Sequence, residues 1–177
     1  MTQWKMDTSH SQVEFAVRHM AISTVRGRFR QFEGSVTVDE DGTPRSIEVL
    51  IDANSVDTAE PDRDRHLRSA DFLDAATYPH ITFRSNSIDR LGPNRYRVAG
   101  DVTIRNETRP LSFELEATSP ITDPWGNRRA AASGSGVLNR KDFGLTYNQA
   151  LEFGGVLVGE EVRFTVELEA VAQAAAA

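Results

Sequence analysis

Apolar and polar residues alternate along most of the chain, and this period of two predicts β-strands. The alternating segments are rich in Val, Ile, Phe and Thr, and Gly, Pro, Asn or Asp bound them. The apolar residues of the second segment, Val25–Val38, change parity along its length, so a bend is predicted at Arg30-Gln31. Eight strands are predicted, and they begin near Val13, Val25, Ile47, Ile81, Tyr96, Leu111, Arg128 and Val162.

One segment, Asp57–Phe83, interrupts the alternation. A short helix is predicted from about Pro61 to Ala70, because proline suits a first helical turn and acidic residues there favour the helix dipole. Charged residues surround most of this helix, so it cannot be a core element. It is predicted to cap one end of the β-structure, with contacts through Leu67 and Phe72, and Phe72 is predicted to face a ligand.

Antiparallel strands in this number can form a two-sheet sandwich or a closed barrel. Closure is favoured, because glycines bend the second strand, the only predicted helix is an end cap, and a barrel removes the sheet edges. The predicted fold class is therefore all-β, an eight-stranded antiparallel β-barrel with a short capping helix. One face of the segment Arg128–Leu138 carries the small residues Ala130, Ala132, Gly134 and Gly136. This face is predicted to leave space inside the barrel as a candidate ligand cavity.

The length and composition set the number of domains and the kinds of partner. The chain has 177 residues and 39% hydrophobic content, which fits one domain. We predict a single domain over residues 1–172 and a frayed, Ala-rich tail over 173–177. The net charge of −6, with acids and bases interspersed, argues against a nucleic-acid partner and against an anionic membrane surface.

The absence of cysteine excludes disulfides, catalytic thiols and thiolate metal sites. No stretch approaches the ~20 apolar residues of a membrane span, and no apolar signal region follows Met1. No integral membrane segment is therefore expected. The chain as written is expected to be cytoplasmic, or periplasmic or secreted if a leader was removed.

Two polar groups of residues could carry chemistry. The four histidines lack the helical i, i+4 spacing of a zinc site, so no metal site and no cofactor are predicted; they are His10, His19, His66 and His80. The second group could form an acid/base cluster or a salt-bridged lid; it consists of Arg63, Asp64, His66 and Asp71. No nucleophile with an adjacent base is visible, so no catalytic residue is predicted. An enzyme acting through this cluster on an isoprenoid or small hydrophobic substrate stays the alternative.

A series of motifs, in order along nearly the whole chain, resembles the YceI-like family of lipocalin-like proteins that bind polyisoprenoid lipids. The motifs are D-T-S-H-S at Asp7–Ser11, F-A-V-R-H-M at Phe15–Met20, G-R-F at Gly27–Phe29, F-E-G at Phe32–Gly34, R-D-R-H-L at Arg63–Leu67, D-F-L at Asp71–Leu73, Y-P-H-I-T-F at Tyr78–Phe83, G-D-V-T-I-R at Gly100–Arg105, T-R-P at Thr108–Pro110, W-G at Trp125-Gly126 and N-R-K-D-F-G at Asn139–Gly144. The resemblance implies an elongated lipocalin-like barrel that holds an isoprenoid chain, such as a polyprenyl quinone precursor, in an apolar tunnel. Many family members are periplasmic and carry a signal peptide, and this chain departs from that pattern.

The inward-facing strand residues are the candidate tunnel wall. On periodicity alone they would form a filled core, and only the resemblance assigns them to ligand binding. The candidates are Phe15, Val17, Phe29, Val36, Val49, Ile51, Phe72, Phe83, Val98, Val102, Phe113, Leu115, Ala132, Gly134, Phe143, Phe164 and Val166. The predicted function is binding of a long-chain isoprenoid or related lipid, for storage, sequestration or transport. Whether the chain forms a homodimer stays open, as does a filled sandwich that acts as an interaction module.

Overall fold

The structure is a computed structural model, and it describes residues 1–174. Its strands are β1 (Thr2–Met6), β2 (Gln12–His19), β3 (Ser23–Phe29), β4 (Phe32–Val38), β5 (Pro44–Asp52), β6 (Val56–Asp57), β7 (His80–Arg90), β8 (Arg95–Ile104), β9 (Glu107–Ala117), β10 (Ile121–Thr122), β11 (Arg128–Asn139) and β12 (Val158–Ala172). The helical elements of this range are α1 (Pro61–Arg68) and two 3-10 turns, Ala53–Ser55 and Arg140–Phe143.

The sheet closes on itself, because β11 pairs with β9 on one side and with β12 on the other. Near one end of the barrel β12 pairs with β1, and β1 pairs with β4; near the other end β12 pairs with β2, and β2 pairs with β3. Three long strands of the barrel are therefore interrupted: β1 continues as β2, β3 as β4, and β5 as β6. The short strand β10 only extends the edge of β11. The predicted fold class, a closed antiparallel barrel of eight strands with one short helix, is confirmed.

The two ends of the barrel differ. We call the end covered by α1 the lid end and the opposite end the floor end. Arg105, in the turn between β8 and β9, donates hydrogen bonds to the carbonyls of Ala70 and Phe72 (3.2 and 3.0 Å), so this turn lies at the lid end. Because β9 runs away from that turn, the connection to β11, which contains Trp125, lies at the floor end.

The first strand, β1, was missed by the pattern, because only Trp4 and Met6 mark its apolar face. Both side chains are buried. By contrast, the bend predicted at Arg30-Gln31 lies where β3 ends and β4 begins. The backbone N–H of Arg30 donates to the carbonyl of Ser55 at 3.1 Å, so the chain stays hydrogen-bonded at the bend.

The predicted capping helix is present, and its local sequence explains its bounds. The Glu60 carboxylate accepts hydrogen bonds from the N–H groups of Asp62 and Arg63 (3.3 and 2.7 Å), which caps the free donors of the first turn. Pro61 occupies the first turn. The helix ends at Arg68, two residues earlier than predicted.

Two groups of buried residues form the interior. The floor cluster consists of Ile47, Val98 and Leu115. The lid cluster consists of Ala53, Phe72, Ala75, Ile81, Val102, Phe143 and Leu145, and it joins α1 and its following loop to the barrel.

Within residues 1–174, neither α1 nor any other helical segment is long and apolar enough to cross a bilayer. The tail that was predicted to be frayed begins with a hydrogen bond, because the N–H of Gln173 donates to the carbonyl of Gln3 at 2.8 Å. Residues 175–177 of this tail lie outside the described residues.

Candidate ligand-binding site

An apolar cavity of about 420 Å³ lies inside the barrel between the floor cluster and α1. Its volume falls in the range of roughly 300 to 1,000 Å³ that is typical of ligand pockets. Alternate residues of the strands form its wall, because successive side chains of a strand point to opposite faces. α1, its following loop and the segment after β11 cover the lid end of the cavity.

Most of the predicted tunnel residues lie on the wall of this cavity. They are Phe15, Val17, Phe29, Val49, Ile51, Phe72, Phe83, Val102, Phe113, Leu115, Phe143, Phe164 and Val166. Four of the predicted residues do not reach it: Val36, Val98, Ala132 and Gly134.

The prediction that the small residues of β11 leave open space is wrong at Gly134 and Gly136. A Cβ atom on Gly134 would lie 2.6 Å from the Leu115 side chain, and one on Gly136 would lie 2.5 Å from the Phe164 ring. Large side chains of neighbouring strands therefore already fill the volume above these glycines. The small residues of β11 let Leu115 and Phe164 pack flat against the wall, so they shape the cavity without touching it.

Val98 and Val36 do not line the cavity, although their cross-strand partners Phe113 and Ile47 do. Val98 is fully buried in the floor cluster, and Val36 packs against that cluster. They belong to the solid part of the barrel that closes the cavity from below. The barrel interior therefore combines an open apolar cavity with a packed floor cluster.

Several wall residues were not predicted. Ile104, Leu111, Leu138 and Val162 continue the inward faces of β8, β9, β11 and β12, and extending the alternation to the strand ends would have found them. Leu145, Tyr147 and Leu157 come from the irregular segment after β11. No periodicity marks that segment, so only the fold brings it to the cavity.

Three aromatic rings meet at the lid end of the cavity. The ring centroid of His66 lies 5.0 Å from that of Phe72 and 4.8 Å from that of Tyr147, both edge to face. His66 Nε2 lies 2.8 Å from a carboxylate oxygen of Asp71, and both side chains are partly exposed. We call these residues the mouth, because polar groups and solvent first meet the apolar wall here.

Arg140 holds the irregular segment after β11 in place. Its guanidinium is buried and donates hydrogen bonds to the carbonyls of Leu145, Tyr147, Val158 and Gly159 at 2.7 to 3.2 Å. Burial lowers the pKa of Arg140 from its ordinary value. Four carbonyl acceptors replace the water that the guanidinium has lost, so the residue anchors the loop that carries Tyr147.

The structure divides the predicted acid/base cluster into two parts. The buried Asp64 carboxylate accepts hydrogen bonds from Thr58 N–H and Oγ1 (2.8 and 2.5 Å), while Arg63 donates to Thr58 Oγ1 and its carbonyl (2.7 and 2.9 Å). This part fastens the start of α1 to Thr58, the residue that follows β6. His66 and Asp71 form the second part, at the mouth. The backbone and the side chain of Thr58 therefore both donate hydrogen bonds to the Asp64 carboxylate.

A third polar group lies at the floor end. Asp7, His10 and Glu169 bring three potential ligand atoms within 4.8 Å of one another. Arg129 donates to Asp7 at 2.8 Å, to Glu169 at 2.6 Å and to Asp123 at 2.7 Å, so a guanidinium already neutralises these acids. Hydrogen bonds from Ser9 and Arg129 lower the pKa of Asp7, and a bond from Arg129 lowers that of Asp123.

A closed barrel with a solid floor and an apolar cavity under a helical lid is the architecture of barrels that hold an apolar ligand inside. The YceI-like domain matches residues 4–170. The chain belongs to the YceI-like family, as the motifs of the sequence indicated.

Curated relatives match nearly the whole length of the chain. A UPF0312 protein of Staphylococcus epidermidis is 35% identical over 171 residues, which are 96% of this chain and 97% of the relative. The YceI protein of Salmonella newport is 34% identical over 174 residues, 97% of this chain and 87% of the relative.

Solved structures share the fold. BcnA of Burkholderia cenocepacia superposes with a TM-score of 0.80 at 23% identity, over 93% of this chain and 98% of that one. A polyisoprenoid-binding domain from Saccharophagus degradans, implicated in plant cell wall breakdown, superposes with a TM-score of 0.71 at 15% identity, over 96% and 98% of the two chains.

Proposed function

We propose that this protein binds a long-chain isoprenoid or a related lipid and holds its chain in the barrel cavity, for storage, sequestration or transport. The observation that carries the proposal is the cavity itself, which has an almost wholly apolar wall. An unfilled apolar space of this size is rare in a core packed only for stability. The shared fold with the polyisoprenoid-binding domain of S. degradans supports the same ligand class.

The energetics of burial favour a long chain. At about 0.8 kcal/mol per buried CH₂, ten carbons yield about 8 kcal/mol, which is close to the cost of association. About 20 carbons or more leave a useful surplus. The polar end of the ligand is proposed to lie at the mouth, because the partly exposed His66–Asp71 pair stands where the apolar wall ends.

Organic extraction of the purified protein followed by mass spectrometry tests the proposal directly. We expect an isoprenoid in the extract, and saturable uptake when polyprenols of increasing chain length are added from detergent. The mass of the bound lipid should stay unchanged on incubation, since the proposal assigns no chemical step. An empty extract combined with no uptake of any added polyprenol would overturn the proposal.

A matched pair of variants locates the site. Val162→Trp places an indole in the cavity from β12, whereas Thr165→Trp places one on the exposed outer face of the same strand. We expect Val162→Trp to abolish uptake and Thr165→Trp to bind as the wild type does, with both variants folded by circular dichroism. Equal uptake by the two variants would place the ligand outside this cavity.

A further inference from the structure

Two hairpin tips meet beside the mouth of the cavity. The first joins β2 to β3, and the left-handed backbone of Met20 and Ala21 (φ 51° and 57°) makes its turn. The second is a short hairpin formed by the segment before β12, closed by the bridge between Ala150 and Val156. The N–H of Met20 donates to the carbonyl of Leu157 at 2.9 Å, so the bases of the two tips are hydrogen-bonded to each other.

Each tip presents a large apolar side chain to solvent. Ile22 is 74% exposed on the first tip, and Phe153 is 79% exposed on the second. Phe153 lies in a formed turn, in which the N–H of Gly154 donates to the carbonyl of Leu151 at 3.0 Å. Exposed apolar residues that cluster at a functional opening mark an interaction surface.

The tips are continuous with the cavity wall. His19, at the end of β2, and Leu157, at the end of the second tip, both line the cavity. In the part of the chain that the structure describes, residues 23–27 of β3 pair only with β2, and their other edge has no strand partner. This open edge of β3 borders the cavity at Val25, beside the first tip.

The charge around the first tip differs from that of the whole molecule. The segment Phe15–Phe32 carries four arginines and no acidic residue, although the chain has a net charge of −6. Arg28 and Arg30 pair with Asp57, but among residues 1–174 neither Arg18 nor Arg26 forms an ion pair. The net charge of the whole chain argued against an anionic membrane surface. It averages over the chain, however, and so does not show this local excess of positive charge. On the second tip, the negative charge of Glu152 opposes this positive charge.

We propose that the two tips dock the protein on a lipid bilayer, with Ile22 and Phe153 inserted among the lipids and Arg18 and Arg26 near anionic headgroups. This inference rests on the proposed function. A long isoprenoid has almost no free concentration in water, so a cavity that holds one must be loaded from a membrane or emptied into it. Apolar insertion combined with basic residues is the usual means by which such surfaces bind membranes.

Vesicle flotation with paired variants tests the docking surface. The tip variant is Ile22→Ser/Phe153→Ser, and the control is Ile121→Ser/Trp125→Ser, which removes side chains of 66% and 81% exposure at the floor end. On vesicles of phosphatidylcholine and phosphatidylglycerol, the tip variant should bind at least about tenfold more weakly than the wild type. The control should bind normally. Equal loss in both variants, or no binding by the wild type, would overturn the proposal.

Fluorescence identifies which end inserts. Trp4 is buried, and Trp125 reports on the floor end. Adding vesicles should leave the emission of the wild type unchanged, whereas Phe153→Trp in a Trp125→Phe background should shift to shorter wavelength. A shift of Trp125 instead would place the membrane at the wrong end of the barrel and overturn the inference.

A transfer assay separates this inference from the proposed function. The tip variant should take up a polyprenol from detergent with the affinity of the wild type but acquire it from vesicles at least about tenfold more slowly. If the wild type binds polyprenol from detergent but ignores vesicles, the docking inference is overturned and the proposed function stands. If the tips bind vesicles but no polyprenol is ever taken up, the proposed function is overturned and the docking surface stands.

Discussion

At the scale of single residues, Phe72 connects the lid to the cavity. Its side chain is buried in the lid cluster, and its ring lies 5.0 Å from that of His66 and 5.2 Å from that of Tyr147. The same side chain also lines the cavity. Phe72 therefore has a place in both the core and the candidate site, which the sequence had treated as alternatives.

Phe72→Ala should consequently reduce both stability and ligand affinity. Removal of the ring should cost about 3 to 5 kcal/mol of unfolding free energy, because it leaves a cavity in the lid cluster. Denaturant unfolding measures this loss, and polyprenol titration measures the affinity. Val98→Ala is the control, since Val98 is buried in the floor cluster and does not line the cavity: its stability should fall while its affinity stays normal. Unchanged affinity in Phe72→Ala would mean that Phe72 is only a structural cap.

At the scale of elements, α1 depends on its anchor more than on its own sequence. The helix has eight residues, which is too short to be stable alone, and most of its surface is polar. The hydrogen bonds between Asp64 and Thr58 tie its first turn to the residue that follows β6. The lid is therefore held by a buried polar contact at one side and by the lid cluster at the other.

Asp64→Ala should loosen this lid. The substitution leaves the N–H of the buried Thr58 without its acceptor, which should cost about 1 to 3 kcal/mol. Asp62→Ala, two residues earlier on the exposed face, removes only a surface pair with Arg65 and should cost less than about 1 kcal/mol. Thermal unfolding compares the two variants. Equal losses would show that the contact with Thr58 does not anchor α1.

At the scale of the whole molecule, the two ends of the barrel are stabilised differently. The lid end relies on apolar packing, whereas Arg129 joins three carboxylates from separate segments at the floor end. The pKa values of Asp7 and Asp123 are lowered below the usual 3.8, so these groups stay charged in the folded protein at pH values where the unfolded chain binds protons. Their contribution is present above about pH 4 and is lost as the pH falls through the lowered values.

Arg129→Gln should therefore lower the melting temperature most at pH 7. The difference from the wild type should shrink below about pH 4, as the acids of the wild type become protonated. Arg65→Gln, which removes an exposed pair on α1, should have a smaller effect at every pH. Melting curves between pH 2 and 7, in steps of about one unit, measure both variants. A constant difference across this range would exclude the ion pairs as the source of the stability.

The sequence determined the elements and most of the cavity wall, because period-two alternation and turn residues act locally. It predicted the barrel, the bend at Arg30-Gln31, the polar helix and residues such as Phe15 and Phe113 on the inner face. It missed β1, whose apolar face has only two residues, and the wall residues of the irregular segment after β11.

Packing across the barrel sets which inward-facing residues line a cavity and which fill a core. Val98 and Val102 have the same parity on β8, yet the first lies in the packed floor and the second on the cavity wall. The sequence pattern predicted empty space beside the glycines of β11, but the side chains of Leu115 and Phe164 on neighbouring strands occupy that volume. Alternation fixes the face on which a side chain lies, whereas the depth of the cavity depends on how side chains from distant strands pack across the barrel.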